Sequence, residues 1–73
     1  MFVYFTKQDM MINMNNIAAV QLYDNHDGRW VQFDYINPSL GVFKVFVSTK
    51  ENGYHIINRI LEARKNGDKA ITI

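Results

Sequence analysis

The stretch that decides the fold runs from Val47-Ser48-Thr49-Lys50-Glu51 through Ile56-Ile57-Asn58-Arg59-Ile60-Leu61 to Asn66-Gly67. Ser48-Thr49-Lys50-Glu51 has the spacing of a capping box, in which the Ser side chain accepts from the backbone N–H three residues on while the Glu reaches back. Ile56, Ile57, Ile60, Leu61 and Arg64 recur at helical spacing, and Asn66-Gly67 supplies a left-handed stop. The pattern predicts one amphipathic helix, with Ile57, Ile60 and Leu61 as its packing stripe. Such a stripe needs a receiving surface, and the segments upstream read as short strands.

Immediately before the helix, Phe43, Val45 and Val47 form the apolar set of a fifth strand. Arg29 to Ile36 is the fourth, with Val31, Phe33 and Tyr35 inward. Asn37-Pro38-Ser39-Leu40-Gly41 is the loop between them. For Phe43 and Phe33 to share a face, that loop must hold an odd number of residues; three or five satisfy this, and Gly41 suits a bulge. Ile17 to Asp24 is the third strand, with Ala18, Val20 and Leu22 on one side. Asp27-Gly28 marks a hairpin. A two-residue loop there pairs Leu22 with Phe33, and a loop at Asn25–Gly28 pairs Leu22 with Val31. The two registers differ by an even step, so both keep the apolar residues on one face. Further out, Phe2-Val3-Tyr4-Phe5 reads as a first strand. Met10, Ile12 and Met14, alternating with Met11, Asn13 and Asn15, read as a second. Ile71-Thr72-Ile73 is a β-prone tail that needs an edge to pair with, either that of a second chain or that of Phe2–Phe5 in its own chain.

The expected architecture is α+β: an antiparallel four- to five-stranded meander packed by one C-terminal helix, with a short terminal strand and with a tight two-sheet or half-barrel arrangement as the variant. Its outer positions are unusually apolar. Trp30, Val42, Phe46 and Tyr23 stand among Gln32, Asp34 and Lys44, where a solvated face is normally more polar. Either the sheet curls or its second face is an interface.

Composition narrows the function classes. The chain has 73 residues, the size of one small domain. It has no Cys, which excludes disulfides, a thiol nucleophile and a thiolate metal site and points to a reducing, intracellular setting. The first residues lack a basic leader or a cleavage signal, and no apolar run approaches the roughly 20 residues that span a bilayer. A formal net charge of +1 is too small to imply a polyanion partner on its own.

The candidate chemistry is sparse. Asp24-Asn25-His26-Asp27-Gly28 gathers two carboxylates and an imidazole, but Asp, Asn and Gly are also what hairpin turns demand; no metal is assigned. His55, Arg59 and Glu62 share one helix face and read as a solvent-exposed ion-paired stripe. Ser48 and Thr49 are caps before they are nucleophiles, and the four glycines sit singly, so no phosphate-cradling loop exists. No catalytic residue and no cofactor is expected. Arg59, Arg64, Lys65 and Lys69 cluster around the helix end. Together with sheet aromatics they are the ingredients of single-strand nucleic-acid binding, although cations are also favoured in a last helical turn by the helix dipole. Of Met10, Met11 and Met14, the alternation sends Met10 and Met14 to the core.

The layout Ile12-Asn13-Met14-Asn15-Asn16-Ile17, two strands, then Val47-Ser48-Thr49-Lys50-Glu51 and a helix with Ile56, Ile57 and Ile60 resembles the small flagellar FlbD-type proteins of bacteria. The resemblance covers about Met10 to Leu61. That family's Pro-Asp-Thr turn is replaced here by the Asn25–Gly28 and Asn37–Gly41 loops. The resemblance implies a small cytoplasmic binding or regulatory protein without catalysis, and it designates no functional residue. The expectation from the sequence is therefore a non-catalytic protein–protein binding module that self-associates as a homodimer through Tyr23, Trp30, Val42, Phe46, Ile71 and Ile73. Trp30 stands at the centre of that contact, and nucleic-acid binding is the alternative.

Overall fold

The computed structural model describes Met1–Ile73. The chain order is β1 (Phe2–Phe5), β2 (Met10–Asn13), β3 (Ile17–Asn25), β4 (Gly28–Tyr35), β5 (Val42–Phe46), α1 (Lys50–Lys65) and β6 (Ala70–Thr72). The fold is α+β, and its strands divide between two three-stranded sheets. β3-β4-β5 is an antiparallel meander, and the second sheet has the order β2-β1-β6. A sharp turn joins β1 to β2, with Asp9 in the left-handed region at φ 49°. A single 3₁₀ turn (Met14–Asn16) then lifts the chain out of the first sheet and into the second. Asn13 caps that turn by accepting from the Asn15 N–H. Met14 is accordingly not a strand residue, although it still packs against the core.

In the meander the hairpin takes the Leu22–Val31 register, with Asn25 opposite Gly28. The Asn25 side chain accepts from the Asp27 N–H at 2.8 Å and tightens the turn, and Gly28 absorbs a φ of 136° that other residues resist. At the far end of β3 a bulge between Ile17 and Ala19 keeps Ile17 on the core side. β4 and β5 pair Phe33 with Phe43 and Asp34 with Val42. Their connection is longer than three or five residues, because Asn37 and Pro38 start a 3₁₀ turn through Leu40. Counted between the last paired residues, Asp34 and Val42, it holds seven (Tyr35 to Gly41) and remains odd, so the inward aromatics still share a face.

The tail finds its edge within the chain. β6 lies parallel to β1, with Val3 opposite Ile71. The Ile73 N–H donates to the Tyr4 carbonyl, and the Thr6 N–H to the Ile73 carbonyl. Ile71 and Ile73 are half-buried against the core, so of the two edges open to the tail it takes β1 of its own chain and not that of a second one.

The core fills the wedge between the two sheets and the helix. Val3, Phe5 and Ile12 come from one sheet, Val31, Phe33 and Val45 from the other, and Ile56 and Ile60 from α1. Phe5 meets Phe33 edge-on at 5.4 Å. Burying each such side chain contributes about 1.5–3 kcal/mol. Met10, expected inside, is exposed at the end of β2.

α1 differs from its expected orientation in two ways. Its N-cap is Thr49, whose hydroxyl accepts from the Asn52 N–H at 3.1 Å. Ser48 instead accepts from the Asn52 side chain at 3.0 Å. The cap is displaced by one residue, and Glu51 takes no part in it. The buried line is Gly53, Ile56, Ile60 and Ala63, with Leu61 exposed. Gly53 explains the rotation. A Cβ there would lie 2.6 Å from Leu22 Cδ1, so only glycine lets the first turn of the helix settle onto β3 without moving a neighbour. That close approach turns Leu61 away.

Candidate functional site

With α1 and the second sheet packed on the inner face of the meander, the outer face of β3-β4-β5 has no covering element. Strand alternation and register arrange its side chains in three cross-strand rows. Tyr23, Trp30 and Phe46 form the first, Gln21, Gln32 and Lys44 the second, and Ala19, Asp34 and Val42 the third.

The first row is an aromatic ladder. The Tyr23 and Trp30 rings are stacked, 5.4 Å apart and 16° from parallel. Phe46 leans on the other side of the indole at 5.7 Å. The Lys44 ammonium sits 4.7 Å from the centre of the Trp30 ring, a cation–π contact. Trp30 is therefore only 9% exposed although no helix lies over it; its own row and Lys44 enclose it. Phe46 is 64% exposed, and Val42 is exposed with it. The projecting apolar groups are thus Phe46 and Val42, with Trp30 as their rigid backing.

Polar contacts hold the same surface in one arrangement. The indole N–H donates to Gln32 Oε1 at 3.0 Å, and the Gln32 amide donates onward to Asp34 Oδ1 at 2.9 Å. The Tyr23 hydroxyl donates to Gln21 Oε1 at 2.7 Å. Each bond links residues two apart on one strand, so the rows are braced lengthwise by hydrogen bonds and crosswise by ring contacts. A face pre-ordered in this way loses little side-chain freedom when something docks on it.

The structure separates the other candidate residues. The Asp24 carboxylate lies 3.2 Å from Arg29 Nε and 3.6 Å from Lys50 Nζ. These are ion pairs, and the first lacks the direction of a hydrogen bond. The rest of the Arg29 guanidinium donates to the Ser48 carbonyl, which ties β4 to the start of α1. His26 and Asp27 approach to 3.4 Å at the exposed hairpin tip, but no third ligating group joins them. Arg59 does not pair with Glu62 as the helical spacing suggested. It donates to the Thr72 carbonyl at 2.9 Å and ties α1 to β6. Arg64, Lys65 and Lys69 are exposed at the helix end, on the inner side of the meander, whereas the aromatic ladder is on the outer side. The basic cluster and the stacking rings are therefore not one surface.

A cleft of about 540 Å³ opens where β1, β5 and the start of α1 converge. Thr6, Lys7, Ser48, Asn52 and His55 supply its polar lining. Ser48 is engaged by Asn52, and His55 has no hydrogen-bond partner to orient it as a base. The cleft thus lacks the nucleophile–base–orienter chain that acyl transfer requires. On the outer face of the terminal sheet, the Tyr4 hydroxyl donates to the Asp9 carboxylate. That carboxylate, with a lesser contribution from desolvation, holds the phenol pKa above its usual 10.

Sequence reasoning picked out Tyr23, Trp30, Val42 and Phe46 from the alternation alone. It put Gln32 and Lys44 on the same face but assigned neither them nor Gln21 a part in the contact, because polar residues on an outer face ordinarily need no explanation. No helix is long and apolar enough to cross a membrane. No family model, curated protein or solved structure matches the chain.

Proposed function

We propose that this chain is a small non-catalytic protein-binding module that self-associates, and that the outer face of the meander is where a protein partner docks. The observation that supports this most is the braced aromatic ladder, with Phe46 projecting from it on an uncovered sheet face. Aromatic anchors in a pre-ordered setting are what protein interfaces use for most of their binding energy. Lys44 and Asp34 at the margin give such a contact a polar rim. The cytoplasmic, regulatory role implied by the resemblance to FlbD-type proteins agrees with this reading.

The nucleic-acid alternative has less support. The most deeply set ring, Trp30, has no free face for a base, Arg59 is engaged by Thr72, and the remaining cations lie across the sheet from the aromatics.

A photo-crosslinking phenylalanine analogue at position 46, introduced in the native host, tests the docking face. The expected result is a discrete protein adduct that the same analogue at Lys69 does not give. Absence of any adduct at position 46 refutes the assignment. Fluorescence anisotropy with single-stranded and duplex oligonucleotides at low salt tests the alternative. Micromolar binding that weakens steeply with added salt would favour nucleic acid over protein.

A further inference from the structure

Two sheets of three strands have four edges, and three of them are blunted. β2 has only four residues. β5 carries Lys44 in the middle of a five-residue strand. β6 is three residues long, with the Arg59 guanidinium on its Thr72 carbonyl. Short strands, lysines and occupied carbonyls are how folded proteins discourage pairing along an edge. β3 is different. It is the longest strand, nine residues, and from Ile17 to Tyr23 it has no charge and no proline.

The ladder phase shows which of its backbone groups are unpaired. The Val47 N–H donates to the Arg29 carbonyl, so the odd-numbered residues of β4 bond toward β5 and the even-numbered ones toward β3. Their opposite numbers on β3 are Asn25, Tyr23, Gln21 and Ala19. By the alternation of antiparallel ladders, Val20, Leu22 and Asp24 direct their N–H and C=O groups away from the sheet. Beside this edge runs a shallow groove floored by Leu22, with Tyr54 and Ile57 of α1 as its wall. Tyr54, Ile57 and Leu61 form a helical stripe at spacings of three and four. Tyr54 and Leu61 are exposed, although a stripe of this kind is normally covered.

We propose that β3 pairs with β3 of a second copy in a two-fold dimer, joining two meanders into one six-stranded sheet. The proposal rests on the reading of this chain as self-associating and assigns that association to the sheet edge beside the docking face, with which it shares Gln21. The argument for a second copy is self-complementarity. A two-fold axis perpendicular to the sheet lets the unpaired groups of Val20 and Leu22 satisfy those of the second copy. It also keeps both helices on the same side, so the two Tyr54–Ile57–Leu61 flanks face each other across the axis. One isologous contact thus covers both unguarded features at once. In the register centred on Gln21, Val20 lies opposite Leu22 and Asp24 opposite Ala18, so no like charges meet. The aromatic ladder remains free on the outer face of both copies.

Sedimentation velocity between 1 and 100 µM tests this together with amide exchange. The expected result is a monomer–dimer equilibrium in which exchange at Val20, Leu22 and Asp24 slows as concentration rises, while that at the Val42–Phe46 edge does not. Gln21→Lys puts two ammonium groups at the closest point of the joined strands, and Tyr54→Glu charges the groove wall. Both residues are exposed, so the fold is retained, and each raises the dimer dissociation constant at least tenfold. A monomer mass at 100 µM overturns the dimer but leaves crosslinking at position 46 as it was. A dimer that survives both substitutions, or one lost with Phe46→Ser, overturns the assignment of the edge. Protection of the three amides only when a foreign peptide is added shows that the edge serves another chain and overturns the choice of a second copy.

Discussion

Ile60 and Leu61 are neighbours in sequence and nearly opposite in environment, and the orientation of α1 rests on that contrast. Ile60 is 5% exposed inside the wedge and Leu61 is 58% exposed. Truncating a buried isoleucine to alanine removes its transfer free energy and leaves a cavity, at a cost of about 2–5 kcal/mol. A domain of this size has a total stability of roughly 4–11 kcal/mol, so Ile60→Ala removes a large part of it. Leu61→Ala removes surface that is already wet, and alanine is slightly the better helix former, so its effect stays within about 0.5 kcal/mol. With a urea m-value of about 1 kcal/mol/M, the midpoints shift by roughly 2 M or more for Ile60→Ala and by less than about 0.5 M for Leu61→Ala. The assay is urea denaturation followed by far-UV circular dichroism at 1 µM protein, where self-association adds least to apparent stability. Successive helical residues point about 100° apart. A large loss for Leu61→Ala with a small one for Ile60→Ala would mean that α1 is rolled by one residue, and the packing described here would be refuted.

Other substitutions examine the cap, the close approach and the exposed phenol. Thr49→Ala should cost about 1 kcal/mol in the same denaturation assay and Ser48→Ala less; the reverse order would restore the cap to Ser48. At Gly53, the helix-propensity gain of alanine, about 1 kcal/mol, opposes overpacking against Leu22 of about 1–3 kcal/mol. Leu22 has groove space to swing into, so Gly53→Ala should change stability by no more than about 1 kcal/mol. Leu22→Ala should then be less costly in the Gly53→Ala background, with a coupling above about 0.5 kcal/mol, and strict additivity would show that the two residues do not touch. Asp9→Asn should lower the Tyr4 pKa toward 10, read from phenolate absorbance against pH. Because the folded pKa is raised, the stability linked to Tyr4 is fully present below the unfolded value near 10 and is lost as pH rises through the folded value. An unchanged titration would show that Asp9 is not the cause.

The local features were legible in the residues. Asn25–Gly28 can only turn, the odd parity between Phe33 and Phe43 keeps both inside, and the Asn66-Gly67 stop follows from backbone preference alone. Tyr23, Trp30, Val42 and Phe46 could be placed on one outer face for the same reason. What could not be read depends on contacts between distant segments. The β1–β6 pairing joins residues 68 positions apart (Phe2 and Ala70); the residues allow the tail to lie beside Phe2–Phe5 or beside a second chain, and nothing near either strand decides between them. The rotation of α1 escaped notice because Gly53 and Ala63 are small. Hydrophobic periodicity weighs large side chains, yet a close helix–sheet contact is made where side chains are least bulky. Trp30 looked like an exposed anchor because alternation tells which face a residue is on but not what its neighbours do to cover it.

The parallel pairing of β1 with β6 also bears on how the chain comes to be folded. The meander and the α1 N-cap are local, and they can form within microseconds to milliseconds of their synthesis. β1 cannot complete its sheet until Ala70–Thr72 is available, and closing a loop that spans the meander and the helix is slow relative to forming those local contacts. During translation Phe2-Val3-Tyr4-Phe5 therefore waits with one edge open while every other element is made. The segment is aromatic and uncharged, the kind that pairs with whatever strand it meets first. The fold thus leaves an aromatic, uncharged strand dependent on a partner that is synthesised only after the meander and the helix.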